Sequence, residues 1–226
     1  MQITYYGHNS FLFKSDVRML TDPFIASNPK AKHIVMEDIK TDYVLITHGH
    51  ADHLADLDKI LAHNDAKIIT MVEVASWLAK QGHSHSHSLN FGGTYQFSMG
   101  TTVKYVQAVH SSSMPDGSYG GHPGSFILKT GGKTIFIAGD TALNSDLKLF
   151  GELNDIDLAI LPIGGNYTMD TEDAVHAAKF LGCSQIIGCH YDSFPEITID
   201  HAAAQNLFKS HQLNLQLMAI GASITL

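Results

Sequence analysis

The chain holds only two cysteines, Cys183 and Cys189, too few for the disulfide framework that stabilises small secreted domains. It has no block of lysine or arginine, and a formal net charge of −8 leaves no basic footprint for a large nucleic-acid partner. No run approaches the ~18 apolar residues that a membrane span requires, so no membrane partner is expected. The opening MQITYYGHNSF lacks a basic segment followed by an apolar stretch; it does not read as a signal peptide, and a cytoplasmic location is expected. Apart from the short GHSHSHS at 82–88, no linker or low-complexity boundary interrupts the 226 residues. Length alone admits one large domain or two small ones; with no boundary visible, a single domain over 1–226 is expected.

Composition is ordinary for a globular protein, at 44% hydrophobic and 16% charged. The low charge and 19 glycines point to buried strands and tight turns rather than a helical bundle. One excess stands out: 15 histidines, more than the 14 lysines and arginines together.

Alternation predicts strands at Ile3–Tyr5, Ser10–Phe13 and Arg18–Leu20, with a turn at Asp22-Pro23. The run Tyr43–Thr47 reads as a strand covered on both faces, and apolar residues at 54, 57, 60 and 61 predict a helix over Asp52–Leu61. Strands follow at Lys67–Met71, Tyr95–Met99, Thr102–Val109, Ser125–Lys129 and Lys133–Ala138, the last two joined by a Gly131-Gly132 hairpin turn. A helix is predicted at Glu73–Lys80. The last third alternates: helix around Leu147–Phe150, strand Leu158–Pro162, helix Thr171–Leu181 capped by Asp170 or Thr171, strand Ile186–Cys189, helix His201–Lys209 and a closing strand Leu215–Ile220. Each half is β-rich first and then built of βα units. That order predicts an α/β protein in which helices cover two facing sheets, a four-layer αββα sandwich.

The stretch THGHADH, residues 47–53, follows directly on the apolar Tyr43-Val44-Leu45-Ile46. Nothing in packing asks for three histidines and an aspartate at one strand end, whereas a metal site does. Three further candidates sit at the ends of other predicted strands: His110, Asp140 and His190. Alone, each is more readily a satisfied polar residue. Together with His48, His50, Asp52 and His53 they make seven N/O donors at the carboxyl ends of four strands, where layered α/β proteins carry their chemistry. Imidazoles and carboxylates suit zinc, manganese or iron better than thiolate-seeking metals.

The pattern HxHxDH, then a lone His, a Gly-Asp-Thr and a last His, resembles the metallo-β-lactamase superfamily along essentially the whole chain. Gly7-His8-Asn9-Ser10-Phe11, Thr21-Asp22-Pro23-Phe24 and Pro162–Asp170 resemble a branch of predicted metal-dependent hydrolases related to the L-ascorbate 6-phosphate lactonases. The resemblance implies that His48, His50 and His110 hold one divalent ion, that Asp52, His53 and His190 hold a second, and that Asp140 bridges them. Two such ions ~3.5–4 Å apart can share a hydroxide and polarise the substrate, with Asp52 or Asp140 passing a proton to the leaving group. The superfamily's β-lactamases commonly place a cysteine at the second ion; Asp52 and His53 take that place here, so antibiotic hydrolysis is not expected. Cys189, beside His190, is expected in the core.

Other residues are ambiguous on sequence alone. His8 is either a catalytic contact or donor, or a turn residue bonding its own backbone. Asp22 is expected to orient a ligand imidazole, against the reading of a turn cap. Gly165 and Asn166 are candidates for cradling a substrate anion through backbone N–H groups, against a loop that simply needs positive φ. The Gly-rich loop Ser112–Gly121 is a candidate lid, with Asp116 and Tyr119 as substrate contacts. The histidines of 82–88 are expected in a solvated loop outside the site. The expected function is hydrolysis of a small ester, lactone or phosphorylated substrate by a dinuclear-metal-activated hydroxide. A phosphodiesterase or nuclease ranks second and a non-catalytic metal-dependent sensor third. Oligomeric state is left open, with a homo-oligomer allowed.

Overall fold

Two seven-stranded sheets repeat one construction, an antiparallel meander followed by parallel βα units; the computed structural model describes residues 1–226. In the first sheet, β1 (Gln2–Gly7), β2 (Ser10–Lys14) and β3 (Arg18–Thr21) run antiparallel through short turns. Then β4 (Tyr43–Leu45), β5 (Lys67–Met71) and β6 (Ser86–Leu89) add in parallel. Parallel neighbours need a crossover, here α1 (Ala51–Leu54) with α2 (Leu57–Leu61), and α3 (Val72–Lys80). The second sheet repeats the plan. Its meander is β7 (Thr94–Ser98), β8 (Thr101–Gln107), β9 (Gly124–Thr130) and β10 (Lys133–Ile137). Next come α4 (Asp146–Leu153), β11 (Leu158–Pro162), α5 (Thr171–Phe180), β12 (Gln185–Cys189), α6 (His201–Ser210) and β13 (Asn214–Gln216), the strands parallel. Finally β14 (Ser223–Thr225) crosses back to the first sheet and pairs with β1.

The continuous apolar runs follow from strands buried on both faces. Ile135 and Ile137 of β10 join a core with Ile3, Phe11 and Leu20 of the first sheet. Phe136, between them, joins a second core with Val175 of α5 and Phe208 of α6. Cys189 is fully buried in the first of these cores. Gly131 and Gly132, at φ 56° and 73°, make the tight β9–β10 hairpin. Asp170 is the cap of α5, its side chain accepting the N–H groups of Glu172 and Asp173. No helix is long and apolar enough to cross a membrane.

Three elements differ from the sequence expectation, each for a tertiary reason. The helix over 52–61 is broken at Asp56, whose buried carboxylate accepts the N–H groups of Ile25 and Ser27 at 2.7 and 2.8 Å and so ties α2 to the loop after β3. The closing strand over 215–220 stops at Gln216; the chain turns at Gly221, whose N–H reaches the Tyr5 carbonyl at 2.7 Å, and only β14 closes the sheet. The histidine-rich 82–88 is not wholly a loop. Ser86–Leu89 pairs with β5 as an edge strand that keeps polar side chains outward and buries Leu89, and polar edges of this kind resist further pairing.

Candidate metal centre

Strands β4, β8, β10 and β12 deliver their carboxyl ends to one place, and the predicted donors lie just beyond them. The frame begins with Thr47. Its N–H and hydroxyl donate to the two oxygens of Asp22, both at 2.8 Å, and Asp22 Oδ2 also accepts Nδ1–H of His53 at 2.9 Å. One buried carboxylate therefore fixes the strand end that carries His48 and the ring of His53 together. Because the Thr47 hydroxyl donates to Asp22, its oxygen accepts from His48 Nδ1, 3.0 Å away, and His48 is left presenting Nε2.

On the other sheet, Gly139 precedes Asp140 with φ 60°, and a Cβ there would stand 2.8 Å from the Thr47 side chain. Only glycine lets the two sheets approach so closely at this point. Thr141 holds the neighbouring loop, its hydroxyl accepting the Val109 N–H at 3.0 Å, which sets His110 beside Asp140.

Asp140 is the hub. Its Oδ2 lies 4.0 Å from His48 Nε2, 3.3 Å from His53 Nε2, 3.5 Å from His110 Nε2 and 3.1 Å from His190 Nε2. Its other oxygen accepts Asn9 Nδ2–H at 2.7 Å. Donor atoms fall into three overlapping groups, each within 4.8 Å: His48, His50 and His110; His48, His53 and Asp140; and His8, Asp52, His53 and His190.

The electrostatics suit a cation. Burial lowers the pKa values of His48, His50 and His110, favouring the neutral imidazole that coordinates metals. Burial opposes ionisation of Asp140, but the imidazoles of His190 and His53 hold its carboxyl well below the usual range. His53 Nε2 and both ring nitrogens of His190 are buried without a hydrogen-bond partner. Orphaned buried nitrogens are costly in a finished core, and these converge on carboxylate oxygens. The residues present fit a divalent metal centre.

A cavity of about 400 Å³ opens on the cluster, bounded by His50, Asp52, His110, Asp140 and His190 on its floor. Ser111, Tyr167, Phe194 and Glu196 complete the lining. This lining differs from the expected substrate contacts. The Gly165 N–H is already donated to Met169 at 3.0 Å, Asn166 points to solvent, and neither lines the cavity; Tyr167 does. Tyr119 is 64% exposed and outside the lining. Its loop is folded back by Ser112, which accepts the Gly49 N–H and donates to the Gly120 carbonyl. Asp116 accepts Trp77 Nε1–H at 2.7 Å, which fastens this segment to α3. His83 and His85 pair with Asp58 and Asp65, away from the centre.

Sequence reasoning passed over Asn9, Ser193, Phe194 and Glu196. Asn9 had a signal in standing beside His8; the segment after His190 carries no pattern that separates it from an ordinary loop.

A family model described as a beta-lactamase superfamily domain matches residues 2–190. A UPF0173 metal-dependent hydrolase from Flavobacterium johnsoniae is 46% identical over 227 residues, covering all of both chains. Another from Christiangramia forsetii is also 46% identical, over 228 residues with full coverage of both. Among solved structures, Igni18, a metallo hydrolase from Ignicoccus hospitalis, superimposes with a TM-score of 0.89 at 32% identity, covering 99% of this chain and 97% of its own. The chain belongs to the metallo-β-lactamase superfamily and, within it, to the UPF0173 metal-dependent hydrolases. It is an enzyme of that class.

Proposed function

We propose that the centre holds two divalent ions, zinc or manganese before iron, and that the protein hydrolyses a small ester or lactone. The observation that carries this reading is Asp140 Oδ2, placed 3.1–4.0 Å from four imidazole nitrogens that belong to both halves of the molecule. In the superfamily arrangement His48, His50 and His110 would hold one ion and Asp52, His53 and His190 the other, with Asp140 as a ligand common to both.

When bound, such a pair would supply a nucleophile near neutral pH, by lowering the pKa of coordinated water toward about 7, and would polarise the scissile carbonyl. The residues do the rest. Asp22 locks the His53 ring, and Asn9 locks the free oxygen of Asp140, so both donors keep one orientation through the reaction. Asp52 is the partly exposed carboxylate on the cavity floor, at 29% for its side chain; ionised at rest, it can take the proton given up by the attacking water and pass it to the departing alkoxide. Tyr167 and Phe194 offer apolar faces to the substrate's non-reacting part and limit water access.

The phosphodiesterase reading is weaker, because no lysine or arginine lines the cavity and Glu196 does. A phosphorylated substrate would need its charge met by the ions themselves. The resemblance of Gly7–Phe11, Thr21–Phe24 and Pro162–Asp170 to the L-ascorbate 6-phosphate lactonases makes a sugar-phosphate lactone the first probe nonetheless. Opening of that lactone, of an unphosphorylated lactone and of a chromogenic phosphodiester should be compared on protein reconstituted with zinc or manganese. Elemental analysis gives ions per chain, and Asp140→Ala serves as control. The proposal expects two ions per chain, lactone turnover and an inactive variant with fewer ions. Faster diester cleavage would place the protein with the phosphodiesterases.

A further inference from the structure

We infer that His8 is a direct protein ligand of the ion assigned to Asp52, His53 and His190, an eighth donor beyond the seven-residue pattern. The inference rests on the metal centre proposed above and extends it to a residue in the turn between β1 and β2.

Three observations place the His8 ring there. First, the turn is held in place: with its backbone left-handed, φ 55° after Gly7 at 99°, the His8 carbonyl accepts the His190 N–H at 3.1 Å, and the ring is enclosed edge-on by Phe24 and Phe194 with centroids 5.3 and 5.7 Å away. Second, one donor atom each from His8, Asp52, His53 and His190 lie within 4.8 Å of one another. Donors bound at about 2.0–2.2 Å to a common ion stand roughly 3–3.5 Å apart when adjacent and about 4.2 Å when opposite. The 3.2 Å between His8 Nε2 and Asp52 Oδ2 falls in the adjacent range.

Third, the hydrogen bonds admit the tautomer that coordination needs. With Ser193 Oγ donating to the Tyr191 carbonyl at 3.4 Å, its oxygen is open to Nδ1–H of His8 at 3.1 Å. His8 Nε2 is then a bare lone pair facing a carboxylate oxygen. A buried imidazole lone pair and a carboxylate oxygen at that separation repel unless a cation stands between them. A shared ion satisfies His8 Nε2, Asp52, His53 Nε2 and one of the two orphaned nitrogens of His190 at once.

The test reads coordination directly. The full-length protein is labelled with nitrogen-15 at histidine, stripped of metal and reloaded with cadmium-113, and one-bond cadmium–nitrogen couplings are recorded by NMR. Through-bond assignment of the rings in the wild type identifies each signal, so the result does not depend on a variant folding. Coupling is expected at Nε2 of His8, His53 and His190. His8→Gln should remove one coupled ring, leave the others, and weaken binding of one of two cadmium ions by at least about tenfold. Coupling at His53 and His190 with none at His8, whose Nε2 instead carries a proton, would overturn the inference and make His8 a hydrogen-bond donor to Asp52. Absence of coupling at all three, with coupling kept at His48, His50 and His110, would sink the two-ion reading itself; absence at all six would sink the metal centre.

Discussion

The backbone N–H of His190 donates to the carbonyl of His8 across 3.1 Å, and both residues sit at positive φ, 53° and 55°. One follows β12 of the second sheet, the other sits in the first turn of the first sheet. A second tie runs alongside, from Asn9 to Asp140. The donors are thus assembled from two sheets and locked by contacts between them. The centre reports on sheet docking as much as on any local motif.

Asp22 should be indispensable to that lock. Its two oxygens accept three donors, from Thr47 N–H, the Thr47 hydroxyl and His53 Nδ1–H. Asp22→Asn puts an amide N–H₂ against donors in a fully buried position, leaving at least one unmet. Stability should fall by about 3 kcal/mol, and affinity for one ion by roughly 10–100-fold. Urea denaturation of metal-free protein and a competitive chelator titration measure the two effects separately; unchanged metal affinity would mean that His53 holds its orientation unaided.

Asn9 is a milder case, since it supports Asp140 through a single bond of 2.7 Å. Asn9→Ala should cost about 1–2 kcal/mol of stability. It should lower kcat about tenfold with KM little changed, because what it positions touches the reacting groups rather than the substrate's body. Asn9→Asp should be worse on both counts, placing a second carboxylate against Asp140. A wild-type kcat in Asn9→Ala would show that the bridge needs no fixing from this side.

The sequence made the strand ends legible because these strands are buried on both faces and read as apolar runs with a polar donor just after. His48, His110, Asp140 and His190 all stand out in this way. What supports them was not legible, and distance along the chain is the reason. Asn9 and Asp140 are 131 residues apart, and His8 and Ser193 are 185 apart, and neither pair leaves a local pattern. The break at Asp56 was hidden for a related reason: the apolar spacing through 54, 57, 60 and 61 satisfies a helix, and only the tertiary hydrogen bonds to Ile25 and Ser27 override it. In the loop 112–121, glycine content signalled freedom, but Ser112 and Asp116 remove it.

Metal-free protein should lose stability as pH falls from about 6.5 to 4. Burial depresses the pKa values of His48, His50 and His110, and that of His8 to about 4, against about 6.5 unfolded. A histidine kept neutral by the fold contributes its full stability above the unfolded pKa and loses it as pH drops through the folded one. For His8 alone, the gap corresponds to about 3 kcal/mol. His53 has the opposite shift, raised by Asp140 and Asp22 against the pull of burial, so its contribution is already complete below 6.5 and adds no slope in this window. Asp140 and Asp52, held low, matter only below about 4. Denaturation free energies of chelator-treated protein across this range should therefore fall steadily, and less steeply in His8→Gln. A flat profile would show that these rings are solvated in the metal-free state.

The cavity wall also makes a prediction about charge. Glu196 lines the site with no lysine or arginine beside it, so a substrate carrying a remote negative charge meets repulsion on entry. Two unit charges some 6–8 Å apart, in surroundings between protein surface and water, interact by about 1 kcal/mol. Glu196→Gln should accordingly raise kcat/KM for an anionic lactone roughly fivefold, leave a neutral lactone of the same ring size nearly unchanged, and act mainly through KM. The gain should shrink at about 1 M salt, where the Debye length is only about 3 Å. If both lactones respond equally, Glu196 acts in proton transfer or loop packing instead of substrate selection.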